Sequence, residues 1–233
     1  MNGSRNQIMD YVNTHGSVNA TGLMATFGVK PTMARQYLST LAREGFLVRV
    51  GQGEYAPPRK QTFHFTPSEK AKIIYNGLKA ELPFTDFCVY DGRILSSIQH
   101  HLSINNAIYI ETNRDAVDSV FTRMRENQKN VYRQPDAAFV NDYIDLREPC
   151  IIVKPLVTES PLAYVEGIRV PTLEKLMVDI QKDADFDYLR GTESLHFFQI
   201  AFELYTINTQ RLLRYAKRRG ISLEIKELTN QAK

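Results

Sequence analysis

The hydrophobic pattern between residues 18 and 58 changes period several times within a short span, and each change marks an element. Asn19 stands where a helix N-cap accepts from the first turn, and the helix it opens runs to about Phe27. Gly28 then supplies the left-handed conformation that helix ends favour. A second helix follows at once. Pro31 suits its first turn, and Ala34, Leu38 and Leu41 recur at i, i+4 and i+7 as a buried stripe, with Gly45 ending it. Residues 46–50 and 54–56 are β-like runs on either side of Gly51-Gln52-Gly53. Two short helices joined at a glycine and followed by a hairpin predict a winged helix-turn-helix domain over residues 1–58.

Opposite the buried stripe, the second helix carries Thr32, Arg35, Gln36, Ser39 and Arg43, side chains suited to phosphates and base edges. Arg49 and Gln52 occupy the hairpin. A helix of this kind fits a major groove, and a glycine-tipped hairpin lies along the flanking backbone, so duplex DNA is the expected partner. Charge agrees. Over residues 1–60, Arg5, Lys30, Arg35, Arg43, Arg49, Arg59 and Lys60 face only Asp10, Glu44 and Glu54, a balance of +4 in a chain whose total is +3. Positive charge is concentrated where phosphate neutralisation needs it. A single copy offers few phosphate contacts, so a homodimer or cooperative binding to paired half-sites is expected.

Beyond this segment, the run from Pro57 to Pro67 carries prolines, charges and isolated aromatics, and its residues 59–66 read as a linker or a crossing strand. Residues 67–233 alternate helix and strand signals. Thr66 or Ser68 caps a helix ending near Glu81; residues 85–90 read as a strand, 93–101 as a short helix and 107–111 as the next strand. Asn113 starts a helix that buries Val117, Val120, Phe121 and Met124. Strands follow at 130–133, 150–156 and 162–170, and Pro171 opens a helix with Leu173, Leu176, Met177 and Ile180 inward. Two closing helices, 192–206 and 209–219, complete the pattern, the second stopped by Gly220. The fold class is α/β (mixed α+β): a small helical domain, then a larger mixed domain ending in two helices.

At 233 residues and 43% hydrophobic content the chain is long enough for two such domains. No apolar run approaches the ~20 residues of a membrane span, and no leader-like core opens the chain, so a cytoplasmic protein without a membrane partner is expected. Cys88 and Cys150 sit in apolar runs and read as buried thiols. His15, His64, His100, His101 and His196 have no zinc-ligand spacing with them, and His100 and His101 read as helix-end groups. No phosphate loop or serine elbow is present. No cofactor, metal or catalytic residue is expected. Asp179, Asp183, Asp185 and Asp187 lack the glycine-turned loop of a calcium site and read as a solvated helix end. Arg211, Arg214 and Arg218, with Lys217 and Arg219, crowd the last helix; they make either a solvated face favoured by the helix dipole or a docking surface for an acidic protein or nucleic acid.

The run LAREGFLVRVGQGEYAP, with Leu41, Gly45, Phe46, Gly53, Tyr55 and Pro57 at its key positions, resembles the end of the winged helix in AbiEi-type antitoxin regulators. TDFCVYDGRILSSIQHH is similar to the strand and helix that open that family's second domain, and GIRVPTLEKLMVDI to its strand, proline, helix, aspartate segment. The resemblance implies a transcriptional autorepressor that binds promoter repeats. It also implies an antitoxin, of the type IV class, to a toxin with a nucleotidyltransferase fold, a pairing in which stable contact between the two is not assumed. Two alternatives stand beside it. One is a metabolite-sensing winged-helix repressor. The other is a metal-dependent nuclease using Asp86, Asp91 and Glu111 at strand ends, against which Glu111 is followed by Thr112-Asn113 rather than by a lysine two positions on.

Overall fold

The structure, a computed structural model, describes residues 2–44, 46–58, 61–96, 98 and 105–232. The chain divides into two units, Met1–Lys60 and Gln61–Lys233, each combining helices with a sheet, so the fold is mixed α/β.

In the first unit, α1 (Asn2–His15) leads through β1 (Val18–Asn19) to α2 (Ala20–Phe27) and α3 (Pro31–Arg43), and β2 (Val48–Gly51) and β3 (Glu54–Ala56) close it. The Asn19 side chain accepts from the Gly22 N–H at 2.9 Å, and Gly28 adopts φ 64°, so the tight joint between α2 and α3 is set by two residues. β3 is the central strand of an antiparallel sheet ordered β1-β3-β2. Ala34, Leu38 and Leu41 are buried against Leu23, Leu47 and Val18. The helix α1 has no counterpart in the sequence-based expectation. Its Ile8 and Val12, four apart, are buried in the same core and cover what two short helices would leave exposed. Gly45 lies outside the described residues; α3 ends with the Glu44 N–H on the Thr40 carbonyl at 2.9 Å.

The second unit begins earlier than expected. Residues 61–66, read from the sequence as part of a linker, belong to it. The Gln61 N–H donates to the Leu204 carbonyl at 2.8 Å, the Thr206 N–H donates to that of Gln61 at 2.9 Å, and Phe63 meets Tyr205 edge-on. The two aromatics that looked isolated, Phe63 and Phe65, are packed on the core of this unit.

Ser68 caps α4 (Glu69–Glu81), after which β4 (Phe87–Asp91), β5 (Ile108–Thr112), α5 (Val117–Asn127), β6 (Val131–Arg133), α6 (Ala137–Tyr143) and β7 (Ile151–Pro155) build a sheet ordered β4-β5-β7-β6. β4 and β5 are antiparallel, whereas β7 runs parallel to both β5 and β6. Alternation along the strands divides the core: Phe87, Val89, Ile108, Ile110, Ile151 and Val153 meet α4 and α5, and Cys88, Tyr90, Tyr109 and Ile152 meet the later helices. The expected strand at 162–170 is instead a hairpin of β8 (Leu162–Val165) and β9 (Ile168–Pro171), turned at Glu166 and Gly167, both with positive φ. Then come α7 (Leu173–Lys182), α8 (Thr192–Leu204), α9 (Thr209–Arg218) and α10 (Ser222–Ala232), so the unit ends in three helices rather than two. α10 was missed because only Ile225 and Thr229 on it are buried, too sparse a stripe to stand out. The short helix expected at 93–101 is a 3-10 turn over Gly92–Leu95, and His100 and His101 lie outside the described residues.

Gly92 is required sterically. A Cβ there would lie 2.1 Å from Oδ1 of Asn105, a residue 2% exposed. That oxygen accepts from the Ala107 N–H at 3.1 Å while the amide nitrogen donates to the Tyr109 hydroxyl at 2.9 Å, so the side chain cannot turn away freely. Gly92→Ala is expected to lower unfolding free energy by about 2 kcal/mol in urea titrations; an unchanged midpoint would show that Asn105 yields without cost.

Candidate functional site

Two arrangements of polar side chains stand out, one in each unit. In the first, α3 buries one face and exposes Thr32, Arg35, Gln36, Ser39 and Arg43 on the other. The helix is short, with Pro31 at its first position, and its exposed face therefore carries this set and little else. On the β2–β3 hairpin Arg49 and Gln52 are exposed, the Arg49 Nε donating to the Gly51 carbonyl at 3.1 Å, and a register shift between Arg49 and Gly51 bends the tip. Arg5 lies over the Phe46 ring at 4.8 Å. Among the described residues, no carboxylate pairs with Lys30, Arg35, Arg43 or Arg49.

The second arrangement escaped sequence reading. Nine of the ten residues of α7 are buried, including Glu174, Lys175, Asp179 and Gln181. Lys175 donates to Glu111 on β5 at 2.7 Å and pairs with Asp179 one turn along its own helix. Glu111 also accepts from the Tyr90 hydroxyl, and Asp179 from that of Tyr215, both at 2.9 Å. Beside them Lys154 on β7 donates to Asp183 at 2.8 Å and Asp185 at 2.6 Å, its ammonium 5.0 Å from the Tyr109 ring centre. Arg219 pairs with Asp183. The expectation of a solvated acidic helix end is thus corrected for Asp179, Asp183 and Asp185, which are drawn inward by Lys175 on α7, Lys154 on β7 and Arg219 at the end of α9. Only Asp187 remains at the surface, paired with Arg190.

Four carboxylates, Glu111, Asp179, Asp183 and Asp185, face three cations, Lys154, Lys175 and Arg219, leaving one negative charge in excess. The groups respond unequally. Burial pushes Asp179 up to about 6 despite Lys175, with Asp183 and Glu111 adding to the rise. Burial also disfavours charge on Asp183, but Lys154 and Arg219 outweigh it and hold that carboxyl well below the ordinary range. For both lysines, burial is outweighed by the acids around them, and both stay protonated.

Asp86, Asp91 and Glu111 are not brought together around a shared partner. Asp86 is exposed and pairs with Arg169, Asp91 accepts from the Ser68 N–H and hydroxyl at 3.0 and 2.6 Å, and Glu111 belongs to the network. The lysine missing beside Glu111 in the sequence is supplied in space by Lys175, and Lys154 is its register partner across β5 and β7. Among the described residues no group of His, Cys, Asp and Glu is placed to hold a metal. Cys88 and Cys150 are free and buried. On α9 the arginines divide. Arg211, Arg214 and Arg218 are exposed, Arg211 lying 3.8 Å from Glu174 and Arg218 donating to the Thr158 hydroxyl at 2.8 Å, whereas Arg219 turns into the network.

Two of the second unit's cavities adjoin these residues. One, about 220 Å³, opens over the network just beyond the carboxyl ends of the parallel strands. The other, about 490 Å³ and mostly apolar, lies between Phe63, Phe65, Val170 and Leu173, with Glu174 and Arg211 at its polar side. Among the described residues, no helix is long and apolar enough to cross a membrane.

These features define a class: a mixed α/β chain in which a small unit with an unpaired basic helix precedes a larger unit built on a mixed sheet. The chain belongs to the DUF6577 family, a family of unknown function, whose model matches residues 33–233 and so takes in most of α3, the hairpin and the whole second unit. No curated protein matches the chain.

Lys175→Met is expected to cost about 3–5 kcal/mol, because Glu111 and Asp179 would be left buried without their cation; a loss under 1 kcal/mol in urea titrations would show that the network is not structural. An acid raised in the folded state favours folding when protonated, so ionising Asp179 costs stability as pH climbs from about 4 through about 6. Asp179→Asn removes that cost. The stability of the variant relative to the parent chain is therefore expected to improve with pH across this window, by on the order of 2 kcal/mol, as read from denaturation midpoints at each pH.

Proposed function

We propose that this protein is a transcriptional autorepressor whose first unit is a winged helix-turn-helix binding duplex DNA at its own promoter repeats. The observation that carries the reading is the exposed face of α3, where Arg35, Gln36, Ser39 and Arg43 stand together and neither arginine is committed to a carboxylate. Free guanidinium groups on a helix of this length suit phosphates and the acceptor edge of guanine, and Gln36 suits adenine. Arg49 and Gln52 on the hairpin supply contacts to the flanking backbone, so that helix and hairpin together meet two faces of one duplex. Few phosphates are reached by one copy, which supports a homodimer or cooperative occupation of repeats.

The antitoxin role rests on sequence resemblance. In that reading the protein acts in the cytoplasm against a nucleotidyltransferase-like toxin, and the second unit contributes to neutralisation without a required direct contact. A second reading, a ligand-sensing repressor, is favoured by the cavity of about 490 Å³ between Phe63, Phe65 and Leu173, a size typical of small-molecule pockets.

Binding of the full-length protein to its upstream promoter, measured across a salt series beside an unrelated duplex, tests the proposal. Specific binding that weakens steeply with salt is expected. Arg35→Ala is expected to cost about 1–3 kcal/mol and to relax sequence preference, whereas Arg49→Ala weakens binding about equally on every sequence. Unaltered promoter binding by both variants would remove α3 and the hairpin as the contact surface.

A further inference from the structure

A basic groove with exposed aromatic rings crosses the far edge of the second unit's sheet. Its floor is β6, the three-residue edge strand, with α5 on one side and α6 on the other. It has a volume of about 460 Å³. Three cations line it, Arg125 from the end of α5, Lys129 from the following turn and Arg133 from the strand. Among the described residues, only Arg133 of the three has a carboxylate partner, Asp118. Arg125 lies over the Phe121 ring at 5.8 Å, and Lys129 is exposed. The acid at the rim, Asp136, is engaged in capping α6, its carboxylate accepting from the Phe139 N–H at 2.8 Å.

Aromatic rings alternate with these charges. Tyr132 on the strand meets Phe139 on α6 at 6.0 Å between ring centres, and Phe139 meets Tyr143 at 5.2 Å. Phe139 is 41% exposed and Tyr143 71%, an amount of apolar ring surface that the fold itself does not use. Cations that follow a backbone, with rings offering π-faces beside them, are the combination that holds unpaired nucleotides: phosphates meet the charges and bases stack on the rings. A duplex keeps its bases stacked on one another and has no use for the rings. An acidic peptide would use the charges and leave Phe139 and Tyr143 without partners.

We infer that this groove binds single-stranded RNA. Unpaired loops and ends are the normal state of RNA, and they are the part of it that proteins read by stacking. Gln134 supports RNA over DNA. It lies between Arg133 and Pro135 at the groove with φ 43°, a conformation uncommon for a side-chain-bearing residue, held by its N–H on the Val153 carbonyl at 2.9 Å. The carboxamide it presents both donates and accepts, as a 2′-hydroxyl requires. The site is distinct in sequence from α3 and the hairpin and stands whether or not those bind duplex DNA.

The test is fluorescence anisotropy of the full-length protein with a short labelled RNA of mixed sequence, single-stranded DNA of the same sequence, and the matched DNA duplex. Tyr143→Ala is expected to weaken RNA binding on the order of tenfold, and Arg125→Glu with Lys129→Glu by more than that with a shallower salt dependence. Both sets leave duplex binding as it was, and all three residues are exposed, so melting temperature is expected to be unchanged. Absence of RNA binding, RNA binding that these variants leave intact, or loss of it through Arg35→Ala instead overturns the proposal. Equal affinity for the single-stranded DNA overturns the assignment to RNA.

Discussion

The ammonium of Lys175, 1% exposed, stands between Glu111 on the sheet and Asp179 on its own helix, and α7 can lie against the sheet only because it does. A helix buried almost all round usually shows apolar side chains all round. Here Leu173, Leu176, Met177 and Ile180 follow that rule while Lys175 and Asp179 sit among them. Neither charge is tolerable alone, since an uncompensated ion in an apolar interior costs several kcal/mol. Each is acceptable because the other, with Glu111 and two tyrosine hydroxyls, completes its shell. Such a network is poor evidence of extra stability, because well-packed apolar residues in its place often do as well. What it enforces is position: a one-turn slip of α7 would bring Lys175 beside Arg219, or Asp179 beside Glu111, like charge on like.

The same network joins elements distant in sequence. Glu111 and Lys154 come from adjacent parallel strands, Asp179 from α7, Asp183 and Asp185 from the turn after it, and Arg219 from the end of α9. The open end of the sheet is thereby closed by ion pairs rather than by side chains from one loop. The excess carboxylate gives the cluster one site that holds a proton readily, and Asp179 is that site because it is the most deeply buried acid with a like charge close by.

Short-range signals were legible in the sequence because they are local physics. Asn19, Gly28, Pro31 and Ser68 act within a few residues of their own position, and each does in the structure what its chemistry predicts. The central strands were legible because both faces are buried and the sequence there is almost continuously apolar. α1 and α10 were not, since each depends on a sparse stripe whose partner surface is made by other elements. The hairpin of β8 and β9 was read as one strand because Glu166-Gly167 is a weak turn signal beside the apolar residues flanking it. The exposed set on α3 could be named from helical spacing alone. The ion network could not. Its members span more than a hundred positions, from Tyr90 to Arg219, and acids whose cations lie on other elements look solvated in a linear reading. The one clue was polar residues inside apolar runs, Glu111 and Lys154, each on the strand position whose alternation points it toward α7.

Paired and unpaired charge separate along the molecule in a way that bears on function. In the second unit the inward-facing cations Lys154, Lys175 and Arg219 are all matched by acids, and their cost and benefit are settled within the fold. The cavity over them lies beyond the carboxyl ends of parallel strands, where α/β proteins commonly hold ligands, and its walls set Glu111, Asp183 and Asp185 against Lys154, Lys182 and Arg219, acids and cations in equal number. Gln134 and Pro135 form the divide between that cavity and the basic groove along β6, lining both. Charge is therefore matched on one side of this divide, whereas cations are in excess on the other. Cations left without partners keep a surface hydrated wherever they stand, so their grouping on α3 and beside exposed rings on α6 is the part of the charge distribution that folding leaves unexplained. The proposed contacts with polyanions would account for it at both places, through helix and hairpin in the first unit and through cations interleaved with rings in the second.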